Sequence, residues 1–182
     1  LDNSQKATYT AYLTNLYQTD KQSLKTIIQS TGFLTLDNSQ IESLDLTMFQ
    51  GIADLSLDKY NLQSLEHIQQ LTQLHSLSLH GCQNLHSLEG LQALTQLNSL
   101  SLSGCQNLQS QAFDKLTSLK NLSSLYLSGY SHAIDLAIFK NLLSIKLEGC
   151  DINLTKQTPF NNLKELKLTN NKLNYNLVLA PL

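Results

Sequence analysis

The chain has 182 residues, within the size of one domain, with a formal net charge of −2 and only 14% charged residues. All 12 basic residues are lysine, which excludes a bidentate arginine clamp on phosphate and argues against a nucleic-acid footprint. No apolar run approaches the ~18 residues that a membrane-spanning helix requires.

The chain begins at Leu1 rather than Met, as expected of a trimmed chain from which a secretion signal or second domain has been left out. Residues 1–30 read as a helical cap. From Ser4 to Gln18, the residues Tyr9, Tyr12, Leu13, Leu16 and Tyr17 fall on one stripe of an amphipathic helix. Asp20 is the start signal of a second helix carrying Leu24, Ile27 and Ile28, and Gly32 its stop.

From residue 31 a pattern repeats. Residues 74–85 read LHSLSLHGCQNL and residues 97–108 read LNSLSLSGCQNL. Aligned copies start at Thr31, Ile52, Leu74, Leu97, Leu122, Leu142 and Leu163, separated by 21, 22, 23, 25, 20 and 21 residues. Positions one, four and six of each copy hold Leu or Ile in 20 of 21 cases, Thr31 being the exception. The Leu-x-Leu centre alternates with period two, a strand signature. One short strand cannot bury its leucines alone, so copies must stack about 4.8 Å apart into a parallel sheet over a continuous leucine core. The expected fold is an α/β solenoid: a right-handed superhelix of seven turns over residues 31–173, with the parallel sheet on its concave side. Residues 174–182 are left as a C-terminal tail or the start of a missing segment.

The return segments differ. Leu85, Leu88, Leu91 and Leu94 recur every third residue, as do Leu62, Leu65, Ile68 and Leu71, a spacing suited to 3₁₀-like turns. The longest return, with Ala112, Phe113, Leu116 and Leu119, has room for a helical turn. Pro159 is expected to stop regular structure before the last clear strand.

Position nine of each copy is Ser39, Tyr60, Cys82, Cys105, Tyr130, Cys150 and Asn171. A buried group here can bond the backbone of a neighbouring turn, and cysteine is a small, weakly donating substitute for asparagine. The three cysteines are therefore expected to be structural, reduced and buried, with poor geometry for a disulfide between Cys82 and Cys105. No converging ligand set suggests a metal.

These copies resemble the cysteine-containing type of leucine-rich repeat, with Gly81-Cys82, Gly104-Cys105 and Gly149-Cys150 in the matching positions. Similar repeats occur in plant resistance sensors, F-box adaptors and bacterial effectors. The arginine-free, Gln- and Asn-rich composition is most similar to leucine-rich repeat effectors of Legionella-like intracellular bacteria. That resemblance implies a secreted protein delivered into the host cell cytoplasm, where it binds a host protein. It departs from the ubiquitin-ligase effectors, having no Leu-Pro-x-Leu signature. The alternative is a substrate-recognition arm of a larger enzyme such as a ubiquitin-ligase adaptor.

The sequence offers no enzyme. His75 and His80 are the only histidines expected on a strand, and nothing sets an acid against either. Glycine-rich phosphate motifs are absent. No cofactor, metal, nucleic acid or membrane span is expected, and the chain is expected to be a monomer. Two Asn-x-Ser/Thr sequons, at Asn121 and Asn153, are expected by chance in so Asn- and Ser-rich a chain.

The remaining candidate site is the concave face, read at positions three, five, seven and eight. Its centre is small, with Ser76, Ser78, Ser99, Ser101, Ser103 and Ser124. Tyr126 is the one aromatic at a central exposed position, and aromatic anchors are enriched at binding hot spots. His80 is expected two strands away. Asp54 and Asp58 make one flank acidic, while Lys146, Glu148 and Lys167 make the other mixed. Such flanking charges set a partner's orientation more than its affinity. The candidate partner-binding residues are thus Tyr126, His80, Asp58, Lys146, Asp54, Ser101, Glu148 and Lys167.

Overall fold

A computed structural model of the chain describes residues 2–36, 44–154 and 162–175. Two helices come first, α1 (Asn3–Thr19) and α2 (Lys21–Thr31). Asp2 caps α1 by accepting the Gln5 backbone N–H at 2.8 Å, and the Gln5 side chain reciprocates at 2.9 Å. Asp20 caps α2 through Ser23, and Gly32 ends it at φ +67°. Leu13, Leu16, Tyr17, Leu24 and Ile28 are buried. Tyr12 is 51% exposed, against the expected stripe, because it lies between the buried positions Leu13 and Leu16 and the solvent face. The Tyr17 ring lies 6.0 Å from Phe49, and its hydroxyl accepts the Asp45 N–H at 2.9 Å. These contacts fasten the helices to the first turns.

Seven strands form one parallel sheet, each paired with the next. They are β1 (Phe33–Thr35), β2 (Asp54–Ser56), β3 (Ser76–Ser78), β4 (Ser99–Ser101), β5 (Ser124–Ser128), β7 (Ser144–Glu148) and β9 (Glu165–Thr169). Leu34, Leu55, Leu77, Leu100, Leu125, Ile145 and Leu166 pair in register, the alignment that the repeat requires. The first six are at most 2% exposed. Each buried leucine contributes roughly 1.5–3 kcal/mol. His75 and His80 were expected on a strand, but β3 spans only Ser76–Ser78 and both histidines flank it.

Three shorter strands, β6 (Ala133–Asp135), β8 (Asp151–Leu154) and β10 (Lys172–Tyr175), form a second parallel sheet in the order β10, β8, β6. Ile134, Ile152 and Leu173 align across it. The earlier return segments instead carry 3₁₀ turns at Leu46–Phe49, Ile68–Gln70, Leu91–Ala93 and Ser110–Ser118, where the three-residue spacing buries Ile68, Leu91, Phe113 and Leu116. Pro159, Asp37, Asn38, Ser39 and the segment 176–182 lie outside the described residues.

Two ladders hold the turns together. Position eight is left-handed in every described turn from the second onward: Lys59, Gly81, Gly104, Gly129, Gly149 and Asn170 have φ between +54° and +76°. This geometry lets each N–H from Lys59 to Gly149 reach the position-seven carbonyl of the next turn. At position nine, five side chains from Cys82 onward donate backwards, to the position-six carbonyl of the preceding turn. The Cys82 thiol reaches Leu57 O at 3.1 Å, Cys105 reaches Leu79 O at 3.0 Å, and Cys150 reaches Leu127 O at 3.7 Å. The Tyr130 hydroxyl reaches Leu102 O, and Asn171 Nδ2 reaches Leu147 O at 2.9 Å. Cysteine, tyrosine and asparagine thus do one job, donating to a position-six carbonyl; at Leu57, Leu79 and Leu102 the same oxygen also accepts the position-nine N–H of its own turn. All three cysteines are buried. Burial pushes the Cys105 thiol up to about 11 and that of Cys82 up to about 12.

Candidate functional site

The outward side chains of the large sheet form rows, because side chains alternate along each strand and the turns are in register. The fifth-position row runs Ser56, Ser78, Ser101, Tyr126, Lys146, Lys167, with each pair directly adjacent. Three candidate residues meet here, Tyr126 and Lys146 from this row and Glu148 from position seven of the same strand as Lys146. The Lys146 ammonium sits 4.3 Å from the centroid of the Tyr126 ring, and the Tyr126 hydroxyl donates to Glu148 at 3.0 Å. The aromatic ring is therefore held at both ends, by a cation–π contact and by a hydrogen bond to a carboxylate. Ser101, a small side chain, is paired with Tyr126 on the other side.

Lys167 lies next to Lys146 in the same row, but its ammonium pairs with Glu165 at 2.7 Å. Glu165 also accepts from the Ser144 hydroxyl at 2.8 Å. The Lys167 contact, followed by that of Ser144, holds the Glu165 carboxyl below the usual range. Both residues are exposed, so this pair adds little stability. The sequence reading missed the Glu165–Ser144 link; the signal was their shared third position in adjacent turns.

The opposite flank is built differently. Asp54 begins β2 and is exposed. The Asp58 carboxylate accepts the Ser78 hydroxyl at 2.5 Å and the His80 backbone N–H at 3.1 Å. Asp58 was expected to be an outward flanking charge. It instead ties the end of β2 to the loop after β3. His80 is exposed beyond the end of β3 and does not join the Tyr126 cluster; two strand spacings, about 10 Å, separate their turns. Ser103, expected on the open face, is fully buried, with its hydroxyl bonded to that of Ser128. At this position the chain turns toward the left-handed glycine, which carries the side chain inward.

The sheet face thus has a floor of small hydroxyls, one fixed aromatic, a cation and an acid beside it, and an acidic flank three strands away. Among the described residues no group of His, Cys, Asp and Glu is placed to hold a metal ion, and no helix is long and apolar enough to cross a membrane.

Comparison with known proteins matches a family model described as a BspA type leucine rich repeat region, over residues 9–125 and 50–175. No curated protein matches. Among solved structures, the functional domain of InlJ from Listeria monocytogenes, described as including a cysteine ladder, is similar at 17% identity and a TM-score of 0.43, over 62% of this chain. The chain spans 29% of that protein's length. Internalin C2 of Listeria monocytogenes is similar at 18% identity and a TM-score of 0.35, over 87% of this chain and 88% of the other.

Proposed function

The chain belongs to the BspA-type leucine-rich repeat family, and from that premise we propose that it binds a partner protein on the exposed, concave face of its seven-stranded sheet. Repeats of this kind are interaction modules. The observation that carries the assignment is the Tyr126–Lys146–Glu148 cluster, a pre-oriented aromatic on an otherwise small and polar floor. A ring already fixed in the unbound protein loses little side-chain entropy on binding, which favours it as an anchor. Ser101 and the other serines let a partner backbone approach closely. Asp54 at one flank and Lys146 with Lys167 at the other bias its orientation. His80 contributes at the margin, and Asp58 by fixing the loop that carries His80.

The finer reading is a bacterial effector acting on a host protein inside the host cytoplasm. It is supported by the arginine-free, Gln- and Asn-rich composition. The experiment is a pull-down from host-cell lysate followed by affinity measurement with the purified partner. Tyr126→Ala is expected to weaken binding at least about tenfold. Unchanged affinity for Tyr126→Ala and Lys146→Ala together would remove the sheet face as the site.

A further inference from the structure

A second surface is set by the lengths of two turns. The turn that starts at Leu97 has 25 residues and the next, from Leu122, has 20. Where their return segments meet, the structure has a half-open groove of about 450 Å³ lined by Leu116, Leu119, Leu122, Ile138, Phe139 and Leu142. That volume is within the range of ligand pockets. The next residue along, Leu143, is 38% exposed, one of few large apolar side chains so exposed among the described residues.

The rim is charged with one sign. Residues 119–122 read Leu-Lys-Asn-Leu and residues 139–142 read Phe-Lys-Asn-Leu, so Lys120 and Lys140 occupy the same repeat position in adjacent turns. Asn141 Nδ2 donates to the Lys120 carbonyl at 3.1 Å, which stacks the two motifs directly. Both lysines line the groove and are exposed. Neither has an ion pair among the described residues, whereas Lys115, Lys167 and Lys172 each have one. The two turns before them carry Thr72-Gln73 and Thr95-Gln96 at this position. The pair of lysines is therefore local to the groove, and neither is neutralised by an acid among the described residues.

We propose that this groove docks an acidic–apolar peptide segment of a partner protein, apolar side chains packing on Ile138, the half-buried apolar side chain among those lining residues, while adjacent carboxylates pair with Lys120 and Lys140. Charge complementarity selects the acidic partner, and the aliphatic lining selects its apolar residues. The half-open shape favours a peptide, whose backbone stays in water, over an alkyl chain, which would leave methylenes exposed. The proposal stands apart from the sheet-face reading.

The test is selection of random peptides displayed on phage against the whole chain, followed by titration of the enriched peptide. The wild type is expected to enrich sequences with two or more Asp or Glu beside Leu, Ile or Phe. Binding should fall at least about tenfold in Lys120→Glu/Lys140→Glu and between roughly 0.05 and 0.5 M salt. It should also fall in Ile138→Ser and hold in Tyr126→Ala. Thermal unfolding of each variant separates lost docking from lost fold, and Lys120→Gln/Lys140→Gln gives a milder second reading. Enrichment of no peptide, or of peptides without acidic residues, overturns the proposal. So does retention of binding in the double glutamate variant. Loss in Tyr126→Ala alone overturns it while supporting the sheet face. Dodecanoate that binds the wild type and displaces the peptide would replace the peptide with a fatty-acid occupant.

Discussion

The thiol of Cys105 lies 3.0 Å from the carbonyl oxygen of Leu79, one turn earlier, and donates to it inside the core. The same relation links Cys82 to Leu57. Cys105→Ala removes one of the two donors to that carbonyl, which still accepts the Cys82 N–H at 3.2 Å, and is expected to cost about 0.5–1.5 kcal/mol. Cys105→Ser is expected to cost about 1–2 kcal/mol, because the shorter side chain presents a hydroxyl that must still find a partner. Urea titration of the two variants measures both. Native-state thiol labelling is a second check. Burial and a Cys105 pKa near 11 should make all three cysteines slow to react until the chain unfolds.

The left-handed ladder gives a pair of predictions with opposite signs. At Gly104, φ is +74° and an added Cβ would sit 3.4 Å from the Gly81 Cα. Gly104→Ala should destabilise by about 1–2 kcal/mol. Lys59 holds the equivalent place at φ +62° with a side chain already present. Lys59→Gly should therefore stabilise, by up to about 1 kcal/mol. Melting temperatures of the two variants decide it.

His132 packs its ring 5.5 Å from Tyr130 and 6.0 Å from Phe113, and its Nε2 has no hydrogen-bond partner among the described residues. Burial pushes its pKa below the ordinary value of 6.5. The unfolded chain then binds the proton more readily than the folded one. Stability from this group is intact above pH 6.5 and declines as the pH falls below it toward the folded pKa. His132→Leu should flatten the dependence between about pH 7 and 5, seen by denaturant titration at each pH.

For the sheet face, Tyr126→Ala removes one cation–π contact and one partly exposed hydrogen bond. Its expected effect on stability is below about 1 kcal/mol. Asp58→Lys should lower the melting temperature as well as any binding, because it breaks the links to Ser78 and the His80 backbone. The two variants together separate a docking residue from a loop fastener.

Much of the fold was legible because the repeat imposes one environment on each position. Leucines at positions four and six predicted the register from Leu34 to Leu166, and three-residue spacing predicted the 3₁₀ turns that bury Ile68 and Leu91. The second sheet was not legible. Ile152 and Leu173 fall at position eleven of their turns and Ile134 at position thirteen, all beyond the nine positions aligned, so that alignment does not reveal their pairing. For the site, position alone placed Tyr126, Lys146 and Glu148 on one face in adjacent strands. It did not show that Asp58 turns back to the His80 backbone or that Ser103 turns inward, since both depend on the left-handed residue that follows.

The central claim, that the sheet face around Tyr126 is the partner-binding surface, is tested most directly by site-specific photocrosslinking. A benzophenone amino acid would replace Ser101, beside Tyr126, in one version of the protein and Gln69, on the return side, in another. The account predicts a discrete adduct from position 101 in host-cell lysate. Excess wild-type protein should compete it away, and excess Tyr126→Ala/Lys146→Ala should not. A competable adduct from position 69 with none from position 101 would contradict it.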